Sequence, residues 1–137
     1  MAIQLTPFEN AIASLEEALR LYSNSQLAPG ASEKILMRDG VIQRFEYTFE
    51  LSWKMLKRYL EEFGLERVDQ FTNRDLFRAG AEAGLLTDAE AWINYLHHRN
   101  LTSHTYNAAV AQDVYEAAVS FLADARHLLA QLKTRTS

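Results

Sequence analysis

The feature that most constrains the fold is a long stripe of apolar residues spaced three and four positions apart. It lies between about Ser32 and Phe63, and its members are Ile42, Phe45, Phe49, Trp53, Leu56, Leu60 and Phe63. This spacing places side chains on one face of an α-helix, because the helix turns once every ~3.6 residues. The segment therefore predicts a long helix, with Gly40 as a candidate kink or irregular start and Gly64 as its C-terminal cap.

Four further segments share the helical periodicity. They run from about Pro7 to Tyr22, Arg74 to Ala83, Thr87 to Arg99 and Asn107 to Lys133. Capping boxes at Thr6–Glu9 and Thr87–Glu90 mark two of the starts. No segment alternates with a period of two, and no hairpin turn signal joins two segments. The pattern predicts an all-α fold, an up-and-down antiparallel bundle of four to five helices forming a single domain over residues 1–137.

Composition narrows the classes of function. The chain has 14 Lys and Arg against 18 Asp and Glu, a formal net charge of −4, and no cysteine. An acidic balance argues against coating nucleic acid through a broad basic surface but leaves room for a local site. The absence of cysteine excludes disulfides, thiolate nucleophiles and cysteine-ligated metals. Without a signal-peptide pattern or a long apolar run, we expect a cytoplasmic protein with no membrane contact.

The densest polar segment lies where the fourth predicted helix meets the fifth. It reads His97-His98-Arg99-Asn100-Leu101-Thr102-Ser103-His104-Thr105-Tyr106. On an unbroken helix, Arg99 and His104 would point about 140° apart, but weak helix formers between them favour a break that turns both into one cleft. The plainer interpretation makes Arg99 a helix-dipole partner, His104 a capped surface residue, and Tyr106 a core aromatic with its hydroxyl in water.

The order Arg99-Asn100-x-x-x-His104-x-Tyr106 resembles the signature of the HEPN superfamily, named for nucleotide binding in higher eukaryotes and prokaryotes. Three neighbouring segments resemble its branch of small nucleotidyltransferase substrate-binding proteins: Arg44–Lys54, Arg78–Gly80 and Ala91–Trp92 followed by the motif. The resemblance covers most of the chain, from about Arg38 to Leu129.

This resemblance implies a helical bundle that forms a homodimer, with two motifs facing one cleft. It implies a partner, a minimal nucleotidyltransferase that acts as antitoxin, and an RNA substrate but no DNA. The HEPN member of such a pair is a metal-independent endoribonuclease toxin without a cofactor, and Arg99, His104 and Asn100 match its catalytic motif. The transferase silences it by adding AMP to the motif tyrosine, Tyr106. The older naming instead has the HEPN member present a substrate to the transferase.

The residue types suit this chemistry. RNA carries its own nucleophile in the 2′-hydroxyl, so a nuclease needs only to move protons and stabilise a more anionic phosphorane. An imidazole such as that of His104 ordinarily titrates near neutral pH and can therefore move the protons. The guanidinium of Arg99 offers paired donors to phosphate oxygens, and Asn100 can orient the phosphate or the hydroxyl.

Residues near the motif have two interpretations each. Five residues either contact RNA or a nucleotide or are ordinary surface groups: His97, His98, Ser103, Arg74 and Arg78. Glu46, Glu50 and Lys54 recur every four residues and therefore lie on one helix face. This face is either solvated, with a Glu50–Lys54 ion pair, or a polar wall that faces the motif or the partner. Adjacent histidines on a helix diverge by about 100°, so we expect no metal site.

Three functions follow from the sequence. The first is a dimeric ribonuclease toxin, the second a non-catalytic subunit that binds a nucleotide or substrate for a transferase, and the third a structural interaction module. Cleavage of RNA by purified protein separates the first from the other two.

Overall fold

The computed structural model describes residues 3–64 and 67–136, within which the chain forms five α-helices. They are α1 (Thr6–Asn24), α2 (Ser32–Glu62), α3 (Asn73–Glu82), α4 (Ala89–Asn100) and α5 (Ala108–Thr136), with 3₁₀ turns at Val68–Gln70 and Thr102–His104. No strand occurs in these ranges. Consecutive helices are joined by short connections, and α1 runs antiparallel to α2, because Thr48 contacts Ala11 while Lys34 contacts Tyr22. The predicted all-α bundle is confirmed.

The middle of the bundle is an aromatic cluster to which four helices contribute. Its rings are Phe45 and Phe49 of α2, Phe77 of α3, Trp92 of α4 and Phe121 of α5, all buried. The Phe49 ring centroid lies 6.2, 6.1 and 5.9 Å from those of Phe77, Trp92 and Phe121. Burying one such ring contributes about 2–3 kcal/mol. Because α2 packs against every other helix, it is the element that positions the rest.

The predicted apolar stripe describes α2 well except at two positions. Trp53 is half-buried and packs on the edge of the core. Phe63 was expected in the stripe, and this is wrong: it is 55% exposed, lies beyond the last residue of α2, and stacks on Tyr59 with the ring centroids 4.8 Å apart. The helix begins at Ser32 and continues through Gly40, so Gly40 does not mark an irregular start.

Helix starts differ slightly from the prediction. Thr6 lies inside α1 rather than capping it, and α1 has no side-chain cap. The cap of α4 is Asp88, whose Oδ1 accepts a hydrogen bond from the Glu90 N–H at 3.0 Å. The capping box that does form was not anticipated. It starts α3, where the Thr72 hydroxyl accepts from the Asp75 N–H and the Asp75 carboxylate accepts from the Thr72 N–H.

The end of α1 is closed by a buried lysine of α2. Lys34 is 6% exposed, and its Nζ donates to the carbonyl oxygens of Tyr22 at 2.5 Å and Ser25 at 3.0 Å. The ammonium also lies 4.0 Å from the Tyr22 ring centroid. A cation at this position satisfies carbonyls that the helix leaves unpaired. Of the helices described, none combines the length and hydropathy required to cross a bilayer.

Candidate functional site at the junction of α4 and α5

The polar segment singled out from the sequence lies at a break in helical geometry. Helix α4 ends at Asn100, the 3₁₀ turn follows, and α5 begins at Ala108. The His104 N–H donates to the Leu101 carbonyl at 2.9 Å, and the Asn107 N–H donates to the His104 carbonyl at 3.1 Å. The predicted break between Arg99 and His104 is therefore present, and it is made of tight successive turns.

Arg99 lies on the last turn of α4 and points toward α2. Its Nε donates to Oε1 of Glu50 at 2.5 Å, and the two side chains are 34% and 28% exposed. The second carboxylate oxygen, Oε2, accepts a hydrogen bond from the Trp53 indole N–H at 3.2 Å. The interpretation of Glu50 as half of an exposed pair with Lys54 is wrong: Glu50 is partly buried and pairs with Arg99, whereas the Lys54 Nζ lies 6.0 Å from the Trp53 ring centroid.

The 3₁₀ turn is attached to the same face of α2 through Thr102. The Thr102 hydroxyl lies 2.5 Å from Oε2 of Glu46 and 2.8 Å from the Arg99 carbonyl oxygen, so both acceptors share its single proton. Thr102 was not singled out from the sequence. The signal that could have found it is the four-residue spacing of Glu46 and Glu50, which places both carboxylates on one face of α2.

The remaining motif side chains are open to solvent. Asn100, Ser103, His104 and Tyr106 are all exposed, and Tyr106 is 87% exposed. The interpretation of Tyr106 as a core aromatic is therefore wrong. Its ring meets that of His104 edge to face, with the centroids 6.2 Å apart. Both rings are therefore accessible from solvent.

A groove between α3 and α4 brings together three of the candidate contact residues. It has a volume of about 430 Å³, and Arg74, His97 and Asn100 are among the residues that line it. Asn100 belongs to the motif, so the groove leads directly away from it. Arg78 is exposed on α3 but does not line this groove.

His98 lies in a different groove, between α4 and α5. This groove also measures about 430 Å³, and Asp113 and Glu116 line it together with His98. Nδ1 of His98 lies 2.9 Å from the Asn94 carbonyl oxygen, which can only accept, so Nδ1 carries the proton. The two adjacent histidines thus have different surroundings. Nowhere in residues 3–64 and 67–136 do three or more His, Asp or Glu side chains form a group that could hold a metal ion.

A hydrogen bond that the sequence did not predict joins α4 to α5 beneath the second groove. The Tyr95 hydroxyl donates to Oδ2 of Asp124. Burial raises the pKa of Tyr95 well above its ordinary value, and the Asp124 carboxylate raises it further because the phenol proton is held between the two oxygens. The contact fixes α4 against α5 four residues before Arg99.

The arginine of the motif thus lies on the last turn of the fourth helix of a bundle, and the histidine follows it in a separate 3₁₀ turn. The family described as "Nucleotidyltransferase substrate binding protein like" matches residues 3–134, so the chain belongs to that family. The resemblance predicted from the sequence is confirmed.

Relatives cover nearly the whole chain. A Haemophilus influenzae protein named "Probable ribonuclease HepT" is 33% identical over 138 residues, which is 97% of this chain and 94% of the relative. A solved Haemophilus influenzae structure, described as the fold of a substrate-binding domain of a nucleotidyltransferase, superposes with a TM-score of 0.87 at 32% identity, covering 95% of this chain and 99% of the other. A crystal structure from Thermus thermophilus gives a TM-score of 0.74 at 34% identity, covering 91% of this chain and 98% of the other.

Proposed function

We propose that this chain is a metal-independent endoribonuclease that cleaves RNA through Arg99 and His104. The observation that carries the proposal is the break after Asn100, on whose two sides lie the partly buried Arg99 guanidinium and the exposed His104 imidazole. The name of the Haemophilus influenzae relative supports the same activity. The chemistry of the two groups suits a phosphate substrate that carries its own nucleophile.

In the proposed reaction, the RNA 2′-oxygen attacks the adjacent phosphorus and the bond to the 5′-oxygen breaks. A histidine accepts the proton of the 2′-hydroxyl, and a protonated histidine donates one to the departing 5′-oxygen. The products are a 2′,3′-cyclic phosphate and a 5′-hydroxyl. The Arg99 guanidinium stabilises the added negative charge on the phosphate oxygens, and Asn100 orients them through hydrogen bonds.

We propose that the working form is a homodimer. Each chain has one motif histidine, whereas the reaction requires one group that accepts a proton and another that donates one. Two copies with facing motifs supply both. The exposure of His104 and Asn100 leaves room for a second chain. RNA contact is then local, as the net charge of −4 requires.

We propose that a nucleotidyltransferase partner controls the site by modifying Tyr106. The phenol oxygen attacks the α-phosphorus of ATP and its proton is released to water. The bond from the α-phosphorus to the oxygen that bridges to the β-phosphate breaks, so AMP stays on the tyrosine as a phosphodiester and pyrophosphate leaves. The 87% exposure of Tyr106 supports this, because the transferase has to reach the hydroxyl. The added phosphate would lie near the His104 ring, whose centroid is 6.2 Å from that of Tyr106, and would repel the RNA backbone.

Cleavage of RNA by purified, unmodified protein in EDTA tests the activity. We expect wild-type protein to cleave, and His104→Ala to lose about 10²–10⁴-fold in rate, the usual contribution of a proton-transferring side chain. The matched control is His127→Ala, which removes a histidine of α5 away from the motif. His104→Ala protein that keeps its helical circular dichroism and cleaves at the wild-type rate would contradict the assignment.

A second candidate function is a non-catalytic subunit that binds a nucleotide or substrate for a transferase. The observation that favours it is the description of the Haemophilus influenzae structure as a substrate-binding domain. Calorimetric titration with ATP separates the two. Saturable nucleotide binding by protein that never cleaves RNA would favour this second function.

A further inference from the structure

Helix α2 presents a glutamate to each side of the break that carries the motif. Glu50 contacts Arg99 at the end of α4, and Glu46 contacts Thr102 in the 3₁₀ turn. The two glutamates are one helical turn apart, about 6 Å along the helix axis. Both carboxylates are partly buried, unlike ordinary surface glutamates. One rigid helix therefore sets the positions of both flanks of the break.

From these contacts we propose that Glu50 is a positioning residue for Arg99, and that Glu46 positions the turn that leads to His104. The inference rests on the proposed ribonuclease function. Glu50 does not touch the substrate in this proposal; it acts through the guanidinium. Nothing in the sequence alone distinguished this role from that of an exposed ion pair.

The atoms used by the ion pair matter. Within the part of the chain that the structure describes, the guanidinium makes its hydrogen bond through Nε. The two terminal nitrogens are left to form the paired hydrogen bonds that a phosphate accepts. A guanidinium held at Nε is fixed in rotation, so less motion is lost when phosphate binds.

Trp53 restrains Glu50 in turn. The indole N–H occupies Oε2 while Arg99 occupies Oε1, so the carboxylate cannot rotate without losing one of the two bonds. The Trp53 ring itself packs against the hydrophobic core. The orientation of Arg99 is therefore transmitted from the core through Trp53 and Glu50.

The charges of the two glutamates predict different effects on RNA affinity and on cleavage rate. Glu46 and Glu50 place two negative charges beside the one positive charge of Arg99, which weakens the attraction for an RNA phosphate. If electrostatics were their whole effect, removing Glu50 would tighten RNA binding and leave the cleavage rate unchanged. If Glu50 positions Arg99, the rate falls while RNA binding stays the same or tightens.

The experiment compares Glu50→Ala, Glu50→Gln and Trp53→Phe with Glu61→Ala. The control removes the same charge from an exposed position of the same helix. Single-turnover cleavage is measured at saturating RNA, and affinity is measured by fluorescence anisotropy with 2′-O-methyl RNA, which cannot be cleaved. Thermal unfolding of each variant reports whether the fold is kept.

We expect Glu50→Ala to lower the single-turnover rate by about 10²-fold, as small misplacements of a reacting group do, with affinity within ~3-fold of wild type or tighter. Glu50→Gln keeps the shape of the side chain and one acceptor oxygen, so the cleavage rate of this variant should lie between those of wild type and Glu50→Ala. Trp53→Phe should show a smaller loss, and Glu61→Ala none. A Glu50→Ala rate within ~3-fold of wild type, or a loss that appears only as weaker binding, overturns the proposal.

A second measurement does not depend on cleavage. Arginine Nε–H signals in ¹⁵N-resolved NMR spectra, assigned with Arg99→Lys, report whether the Arg99 Nε–H is held. We expect a slowly exchanging signal in wild type that is lost in Glu50→Ala; a signal that survives unchanged refutes the positioning role. A held Nε–H in protein that never cleaves RNA would refute the ribonuclease function while supporting the positioning of Arg99.

Discussion

Adjacent residues of α2 belong to two very different regions of this molecule. Phe45 and Phe49 point into the aromatic cluster, where they are fully buried. Glu46 and Glu50, the next residues along the chain, contact the motif at the junction of α4 and α5. The cluster is held by ring contacts in many directions, whereas the junction is held by a few polar contacts and is largely exposed. Stability and activity should therefore respond to different substitutions.

The largest expected effect is on the cluster side. Phe49→Ala should lower the free energy of unfolding by about 3–5 kcal/mol, because it removes the ring that contacts four others and leaves a cavity. Urea denaturation followed by circular dichroism measures it. A loss below about 1 kcal/mol would mean that the cluster does not carry the stability assigned to it.

On the junction side, Arg99→Lys should change the rate and not the stability. Lysine keeps the charge but lacks the planar set of donors, so we expect an RNA cleavage rate lower by about 10²-fold, comparable to losing one donor at a charged transition state. Unfolding free energy should change by less than about 1 kcal/mol, since the ion pair is partly exposed. If Arg99→Lys lowered the free energy of unfolding as much as it raised the activation free energy of cleavage, stability and activity would not depend on different regions.

Tyr95 lies between the two regions, since its ring packs in the core and its hydroxyl joins α4 to α5 four residues before Arg99. Tyr95→Phe leaves the partly buried Asp124 carboxylate without its donor and should lower the free energy of unfolding by about 1–3 kcal/mol.

The contribution of Tyr95 to the stability of the wild-type protein also depends on pH. Folding raises the pKa of Tyr95 above its ordinary value of 10.0, so the unfolded chain loses this proton first and stability falls as the pH rises above about 10. Tyr95→Phe should show a shallower loss in denaturation curves collected between about pH 9 and 11; identical slopes would contradict the assignment.

The smallest expected effect is at Tyr106. Its side chain is 87% exposed, so Tyr106→Phe should change the free energy of unfolding by less than about 0.5 kcal/mol and leave RNA cleavage intact. The one property it should lose is modification. Co-expression with the nucleotidyltransferase, followed by mass spectrometry, should find AMP on wild-type protein and none on the variant. AMP on the variant would place the modification on another residue.

Much of the fold could be predicted from periodicity. The apolar stripe from Ile42 to Leu60 predicted α2, and the weak helix formers after Arg99 predicted the break. The errors lie at helix ends. Phe63 follows the stripe in sequence but extends past the last turn, and Thr6 has the residue pattern of a cap while lying inside α1. Periodicity describes the interior of a helix, whereas the terminal positions depend on what packs against them.

The site divides in the same way. The motif residues could be recognised because they are close together in sequence and chemically distinctive. Their partners could not, since Glu50 and Arg99 are 49 positions apart and Glu46 and Thr102 are 56 apart. The residue pattern of α2 allowed both an exposed Glu50–Lys54 pair and a wall facing the motif. Only the packing of α4 against α2 decided between them.

By itself, the sequence determined the helical class, the approximate extent of the helices, and the type of motif, because spacing and residue chemistry are local properties. The tertiary structure decided which carboxylate holds Arg99, which groove each of the adjacent histidines enters, and that Tyr106 lies in solvent. Those outcomes depend on how separate helices pack, and no local pattern encodes the distance between two side chains on different helices.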